Sequence, residues 1–175
     1  MPDDSGALLV IDMLKDFIRP DGALCIGPSG QATVPRIREQ IATARKCGEP
    51  VIYICDRHRP NDAEFADWPP HCVEGTEGAE VVDELAPQDG DIVVPKRRFS
   101  GFNGTDLNLT LRELGVGKLT LVGCCTNICV LYTAADARMA GFEIRVPRDC
   151  VATFDDETQA FALKELERTL GAEMC

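Results

Sequence analysis

The sequence predicts an α/β protein of three layers, with helices on both faces of a central, mainly parallel sheet in a Rossmann-like order. Three observations carry this. The strand candidates are short, nearly continuous apolar runs, as in Ala7–Met13 (ALLVIDM), where a half-solvated strand would alternate. They are separated by segments with helical spacing, which implies crossovers between parallel neighbours. Several end in a charged residue, Asp12, Asp56 and Lys96 among them, and ligands of such sheets gather beyond the carboxyl ends of the strands.

Ala7–Met13 is read as a buried strand and Pro20–Gly30 as a Gly/Pro-rich loop. Val34, Ile37, Ile41 and Ala44 recur at helical spacing up to Cys47, and Gly48 stops that helix. Val51–Cys55 is the second strand, ending at Asp56. Residues 57–78 form a loop long enough to suggest a functional role. Ala79–Leu85 is expected as a short helix, and Asp91–Pro95 as a strand ending at Lys96. Thr105 or Asp106 can cap a helix that runs to Leu114 and closes at Gly115. Lys118–Gly123 is the fourth strand. A polar step, Cys124-Cys125-Thr126-Asn127, leads from it into an Ala-rich helix that Gly141 ends. Phe142–Val146 is a fifth strand. Asp155 or Asp156 caps a last helix carrying Phe161, Leu163, Leu166 and Leu170 on its apolar face.

A chain of 175 residues, 45% hydrophobic, suits one domain over 1–175 with a full core. No apolar run is long enough for a membrane span. The net charge of −11 argues against nucleic acid and anionic membranes as partners. The first residues lack a basic segment, so no signal peptide is expected and the protein is placed in the cytoplasm with its thiols reduced. Nine cysteines are an odd count that fits no small disulfide framework. Most of Cys25, Cys47, Cys55, Cys72, Cys150 and Cys175 are read as small apolar residues.

Two constellations carry chemistry. Cys129 lies in the first turn of the helix after the fourth strand, where the helix dipole favours thiolate. With Asp12 as general base and acid and Lys96 as charge balance, it forms a nucleophile system on one rim of the sheet. The same residues could instead be a strand-end ion pair and a buried helix cysteine. The second constellation, Asp56-x-His58 with His71, uses both histidines of the chain. Imidazole plus carboxylate suits zinc or another first-row divalent ion. Residues two apart in an extended segment point to the same side, and Glu64 is a further candidate ligand. Two exposed histidines in a mobile loop would be the plainer reading.

These residues carry a resemblance to the isochorismatase-like cysteine hydrolases, and among them to the nicotinamidase/pyrazinamidase group. It runs from Leu9 to about Thr153. Its anchors are Val10-Ile11-Asp12-Met13 with Asp16-Phe17, Asp56-x-His58, and Trp68-Pro-Pro-His71-Cys72-Val73-Glu74-Gly75-Thr76-Glu77-Gly78-Ala79-Glu80. Pro95-Lys96, Phe99-Ser100-Gly101-Phe102 and Gly123-x-x-Thr126-x-x-Cys129-Val130 complete it.

The resemblance implies Cys129 as nucleophile, Asp12 as base and acid, and Lys96 as third member, yielding a carboxylate and ammonia through a thioester. It implies an oxyanion hole from the backbone N–H groups of Cys125 and Cys129, with a cis peptide at Cys124–Cys125. Asp56, His58 and His71 match the ligands of one divalent metal ion, zinc foremost with manganese or iron as the other choices. Glu64 falls where some members place a fourth ligand. Phe17 and Trp68 match aromatic pocket walls, and Phe99, where many members carry tyrosine, is a third candidate. The implied substrate is a small amide, nicotinamide first and pyrazinamide beside it, as in pyridine-nucleotide salvage. Another small amide or an N-carbamoyl compound is the alternative. Arg57 replaces a common Trp and Asn127 a common acid. Outside catalysis, the chain could be a metal- or ligand-binding protein or a thiol redox sensor using Cys124 and Cys125. A homo-oligomeric assembly is left open.

Overall fold

The computed structural model describes residues 5–175; the first four residues of the stretch read for a signal peptide lie outside it. Seven strands form one sheet in which every pairing is parallel: β1 (Gly6–Ile11), β2 (Val51–Asp56), β3 (Ile92–Lys96), β4 (Lys118–Cys124), β5 (Glu143–Val146), β6 (Val151–Ala152) and β7 (Glu173–Met174). Their order is β3-β2-β1-β4-β5-β7, with β6 paired to β4. The chain therefore works outward from β1 on one side, then returns to its other side at β4. That reversal opens a crevice between β1 and β4, the place where such sheets bind ligands.

β1 is buried on both faces, which is why its sequence does not alternate. Leu8 and Val10 pack with Ile37, Ile41 and Ala44 of α2 (Pro28–Cys47) and with Phe17 and Ile18 of the single-turn α1 (Lys15–Ile18). Ala7, Leu9 and Ile11 face Leu107 and Leu111 of α3 (Leu107–Glu113), Ala134 and Ala137 of α4 (Leu131–Met139), and Leu166 of α5 (Asp156–Arg168). At about 25 cal/mol per Å² of apolar surface, burial on two faces is the main force holding the layers together.

Glycine matters most at Gly123. Its φ is 122°, and a Cβ there would stand 1.9 Å from the Ile11 carbonyl oxygen, so only glycine lets β4 close on β1. Gly48 caps α2 in the left-handed region and Gly141, at φ 91°, follows α4.

The structure corrects several expectations. Ala79–Leu85 is not a helix. Val81 pairs with Leu14 in an isolated antiparallel bridge, between 3-10 turns at Glu77–Ala79 and Asp83–Leu85. α2 begins six residues early, at Pro28, because proline suits the first helical turn. Phe161 is exposed, and Leu166 and Ala162 make the buried contacts of α5. Asp155 is the residue that caps α5, accepting from the Thr158 amide at 2.8 Å. At α3 it is the Thr105 hydroxyl that accepts from Leu107, at 3.2 Å. The short strands β6 and β7 were not foreseen. No helix among the described residues is long and apolar enough to cross a membrane.

Candidate active site

β1, β2, β3 and the turn after β4 bring the first constellation to one point. Asp56 and Lys96 are register partners at the ends of β2 and β3. Asp12 follows Ile11, whose partners are Ile54 and Gly123. Its amide donates to the Ile54 carbonyl (2.8 Å), and its carboxylate accepts from the Asp56 amide (2.8 Å). Asp12 has φ 51°, a left-handed conformation that aspartate tolerates better than most residues and that concentrates at functional sites.

Lys96 is the hub. Its ammonium lies 2.7 Å from Asp12 Oδ2 and 2.5 Å from Asp56 Oδ1, and reaches Cys129 Sγ at 3.5 Å. All four residues are buried. Burial pulls the Lys96 ammonium down, but Asp12, Asp56 and Cys129 outweigh it and hold its pKa well above the ordinary lysine value. Burial, with Asp56 adding to it and Lys96 opposing, lifts the Asp12 carboxyl to about 6. Asp56 also feels burial, yet the charge of Lys96, with the His58 and His71 imidazoles close by, takes it below the usual carboxylate range.

Cys129 departs from the expectation for a cysteine at a helix start. Burial, then the charge of Asp12, push its thiol well above the ordinary range against the pull of Lys96. Two carboxylates share one ammonium, so little positive field is left for sulfur. The helix also opens with a π-helical turn, Thr126–Val130, ahead of α4. These shifts favour the neutral thiol of Cys129, while Asp12 ionises above about 6.

The Cys124–Cys125 peptide bond is cis. The Cys125 carbonyl accepts from the Ile128 and Val130 amides, while its own amide has no acceptor among the described residues. An amide left free beside the thiol can receive a developing oxyanion.

The second constellation adjoins the first through Asp56. One ligand atom each from Asp56, His58 and His71 lie within 4.8 Å of one another. His58 and His71 are buried, which removes the reading of two exposed loop histidines. His71 Nδ1 sits 2.7 Å from the Pro69 carbonyl oxygen, so it carries the proton and leaves Nε2 as a lone pair facing Asp56 Oδ2 at 3.8 Å. His58 Nε2 is 3.6 Å from Asp56 Oδ2 and 3.9 Å from Glu64 Oε1, beyond hydrogen-bonding reach of both. A buried, unpartnered imidazole nitrogen beside carboxylates is costly unless a cation completes it. The residues fit a divalent metal ion, and Glu64 lies near enough to be a fourth donor.

The cage is held by groups to which the sequence alone assigned no role. Asp62, fully buried, places Oδ2 3.2 Å from His58 Nδ1 and is braced by Arg97 (2.8 Å) and Arg98 (3.0 Å). Its only sequence signal is a position four residues after His58. Asp16 accepts from the Cys72 amide at 2.7 Å, fixing the residue after His71, and from Ala23 at 3.1 Å. Gly78 lies against this carboxylate so closely that a Cβ would stand 2.2 Å from it.

Phe17, Trp68 and Phe99 line a cleft over the site with Leu24, Ile128 and Phe154, and Cys129, Asp56 and His71 form its floor. Phe17 packs on His71 at 5.4 Å, Phe65 contacts both histidines, and Phe99 stacks on Tyr132 at 5.9 Å. The free volume is about 20 Å³, room for a single water. All nine cysteines are free thiols; Cys124 donates to the Asp12 carbonyl at 3.1 Å.

The chain has relatives among known proteins. Residues 6–175 match the isochorismatase domain family. The nicotinamidase/pyrazinamidase crystal structure from Bacillus subtilis superposes with a TM-score of 0.94 at 35% identity, covering 98% of this chain and 99% of that one. The pyrazinamidase of Pyrococcus horikoshii, crystallised in complex with zinc, gives a TM-score of 0.92 at 34% identity, with 98% of both chains covered. Maleamate amidohydrolase of Pseudomonas putida is 32% identical across 94% of this chain and 80% of its own.

Proposed function

The chain belongs to the isochorismatase family, among its amidohydrolases, and from that premise we propose that it deamidates nicotinamide to nicotinate and ammonia, and accepts pyrazinamide as well. The observation that carries this reading is the shared Asp56. It joins a thiol–carboxylate–ammonium cluster to a two-histidine cage on the floor of an apolar cleft.

In this reading Asp12, ionised near neutral pH, takes the Cys129 thiol proton as sulfur attacks the amide carbon. Lys96 keeps two carboxylates charged in a buried site and steadies the system as that proton moves. The amides of Cys125 and Cys129 receive the oxyanion; one such donor typically contributes about 2.7–4 kcal/mol of barrier lowering. Asp12 returns its proton to the leaving nitrogen, ammonia departs, and a thioester to Cys129 remains. Asp12 then takes a proton from water, which attacks the thioester carbon. Asp12 passes that proton to the departing Cys129 sulfur, and the acid product leaves, giving up its own proton to ammonia or water to become the carboxylate.

Asp56, His58 and His71, with Glu64 as fourth donor, would hold one divalent ion, zinc foremost, whose Lewis acidity would orient the ring nitrogen of the substrate. Phe17, Trp68 and Phe99 would clasp the ring. The cleft favours a neutral amide over the anionic kind that the Pseudomonas relative is named for. Among the described residues no lysine or arginine lines the cleft, and Lys96 beside it is committed to two carboxylates. Such an enzyme would work in the cytoplasm in pyridine-nucleotide salvage, as a single domain.

Ammonia release from nicotinamide, pyrazinamide, maleamate and N-carbamoyl compounds, with metal analysis on the same sample, tests this. Metal-loaded protein that is inert toward the first two and active on another compound would replace the substrate and keep the chemistry.

A further inference from the structure

We propose that a basic cleft behind the metal cage is a second ligand site, for a small molecule bearing two or more phosphoryl charges. The cleft has a volume of about 500 Å³ and is lined by Arg57, Arg59, Arg97 and Arg98, with Asn103 and the carboxylate of Glu74 on its wall. Four arginines lining one cleft are unexpected in a chain with 18 basic residues and a net charge of −11. They arise from two pairs at neighbouring strand ends. Arg57 and Arg59 flank His58 just past β2, and Arg97 and Arg98 follow Lys96 at the end of β3. The Arg57 amide donates to the Lys96 carbonyl at 2.9 Å, which locks the two pairs side by side.

Their charges are not balanced internally. Arg97 and Arg98 share Asp62, and Arg98 is also 3.7 Å from Glu64. Arg57 and Arg59 have no carboxylate within 4 Å among the described residues. Even with Asp62, Glu64 and Glu74 all counted as charged, four guanidinium groups keep an excess of positive charge. Structural arginines are usually spent on ion pairs; two left over beside two half-spent ones form an anion cradle. Guanidinium forks match phosphoryl oxygens with paired hydrogen bonds. Arg57 also stands where the resemblance noted a Trp in many members, so the charge is this chain's own. No reacting residue lies in the cradle except Lys96 at its edge, so the site stands or falls independently of the substrate.

The test is calorimetric titration of the full, metal-loaded chain with fructose bisphosphate and, separately, inorganic phosphate, at constant ionic strength set with chloride. Saturable binding of the bisphosphate, tighter than phosphate and at least tenfold weaker in Arg57→Gln/Arg59→Gln, is the expected result. Absence of saturable binding, equal affinity for phosphate, or an unchanged variant would each overturn the proposal. A second measurement covers a variant that fails to fold. In the unaltered protein, the bisphosphate should protect Arg57 and Arg59 from phenylglyoxal, mapped by peptide mass spectrometry; protection confined to other arginines refutes the site.

Discussion

The two halves of the site are built in different ways. The Asp12–Lys96–Cys129 half hangs on strand ends, where hydrogen-bond register places Asp56 opposite Lys96 and Asp12 one step past Ile11. The His58–His71 half hangs on a segment with only 3-10 turns and one bridge, His58 to Val73. Strand register supplies most of the position, because the sheet core already fixes the backbone, and of the three residues only Asp12, just past its strand, is left-handed. The loop must instead be tied atom by atom: the His58 amide to the Cys72 carbonyl (3.0 Å), the Glu74 amide to the His58 carbonyl (2.8 Å), Asp16 to Cys72, and Asp62 to His58. Cys72, at φ 44°, holds a conformation costing about 1–3 kcal/mol, which those ties must overcome. The strand-end half should therefore be separable from metal, and the loop half should not.

The sharpest probe of that separation is Cys129→Ala. It should lower turnover by roughly 10³-fold or more, as expected for loss of a nucleophile, while metal content and melting temperature stay near those of the parent. Residual activity close to the parent would remove Cys129 from the chemistry. Loss of metal in this variant would erase the distinction between the halves.

Next in size, His71→Ala should leave the purified protein with little bound metal by elemental analysis, and chelation of the parent should reproduce its loss of activity. Full metal content in the variant would break the cage assignment. Asp62→Asn probes the ties rather than the ligands. Metal affinity should fall about 10–100-fold, the usual effect of losing a group that orients a ligating histidine, with the Cys129 thiol still alkylatable at the parental rate. An unchanged affinity would show that packing alone orients His58. The smallest effect is expected at the cap of α5, which touches neither half. Asp155→Ala removes the α5 cap and should cost about 1 kcal/mol, or about 2–4 °C in melting temperature for a chain of this size, leaving activity and metal unchanged.

Much of this molecule was legible before folding, for a local reason. Apolar runs announced β1, β2 and β4, and helical spacing announced α2. Charged residues just past those runs named Asp12, Asp56 and Lys96. Repeat distances of side chains along strand and helix are written in neighbouring residues, so they survive reading in one dimension. Even the misjudged Ala79–Leu85 follows this logic. Its spacing is compatible with a helix, but the Lys15 amide donates to Glu80 and the Val82 amide to Met13, and those distant partners draw it out into a bridge.

What only the tertiary structure decided concerns charge and contact between distant segments. Sequence placed Cys129 at a helix start and so anticipated a thiolate. The fold buries it and seats it beside Asp12 and Asp56, and burial first, then those charges, push its thiol pKa up. Only its place four residues after His58 hints at Asp62 as the support, and nothing there marks Arg97 and Arg98, more than 30 residues later, as the braces. Phe154 reaches the cleft from beyond β6, and Leu24 from the loop before α2. Electrostatic fields and cavity walls depend on distances in space between residues far apart in sequence. Those distances exist only once the sheet has set its order and β4 has closed on β1 at Gly123.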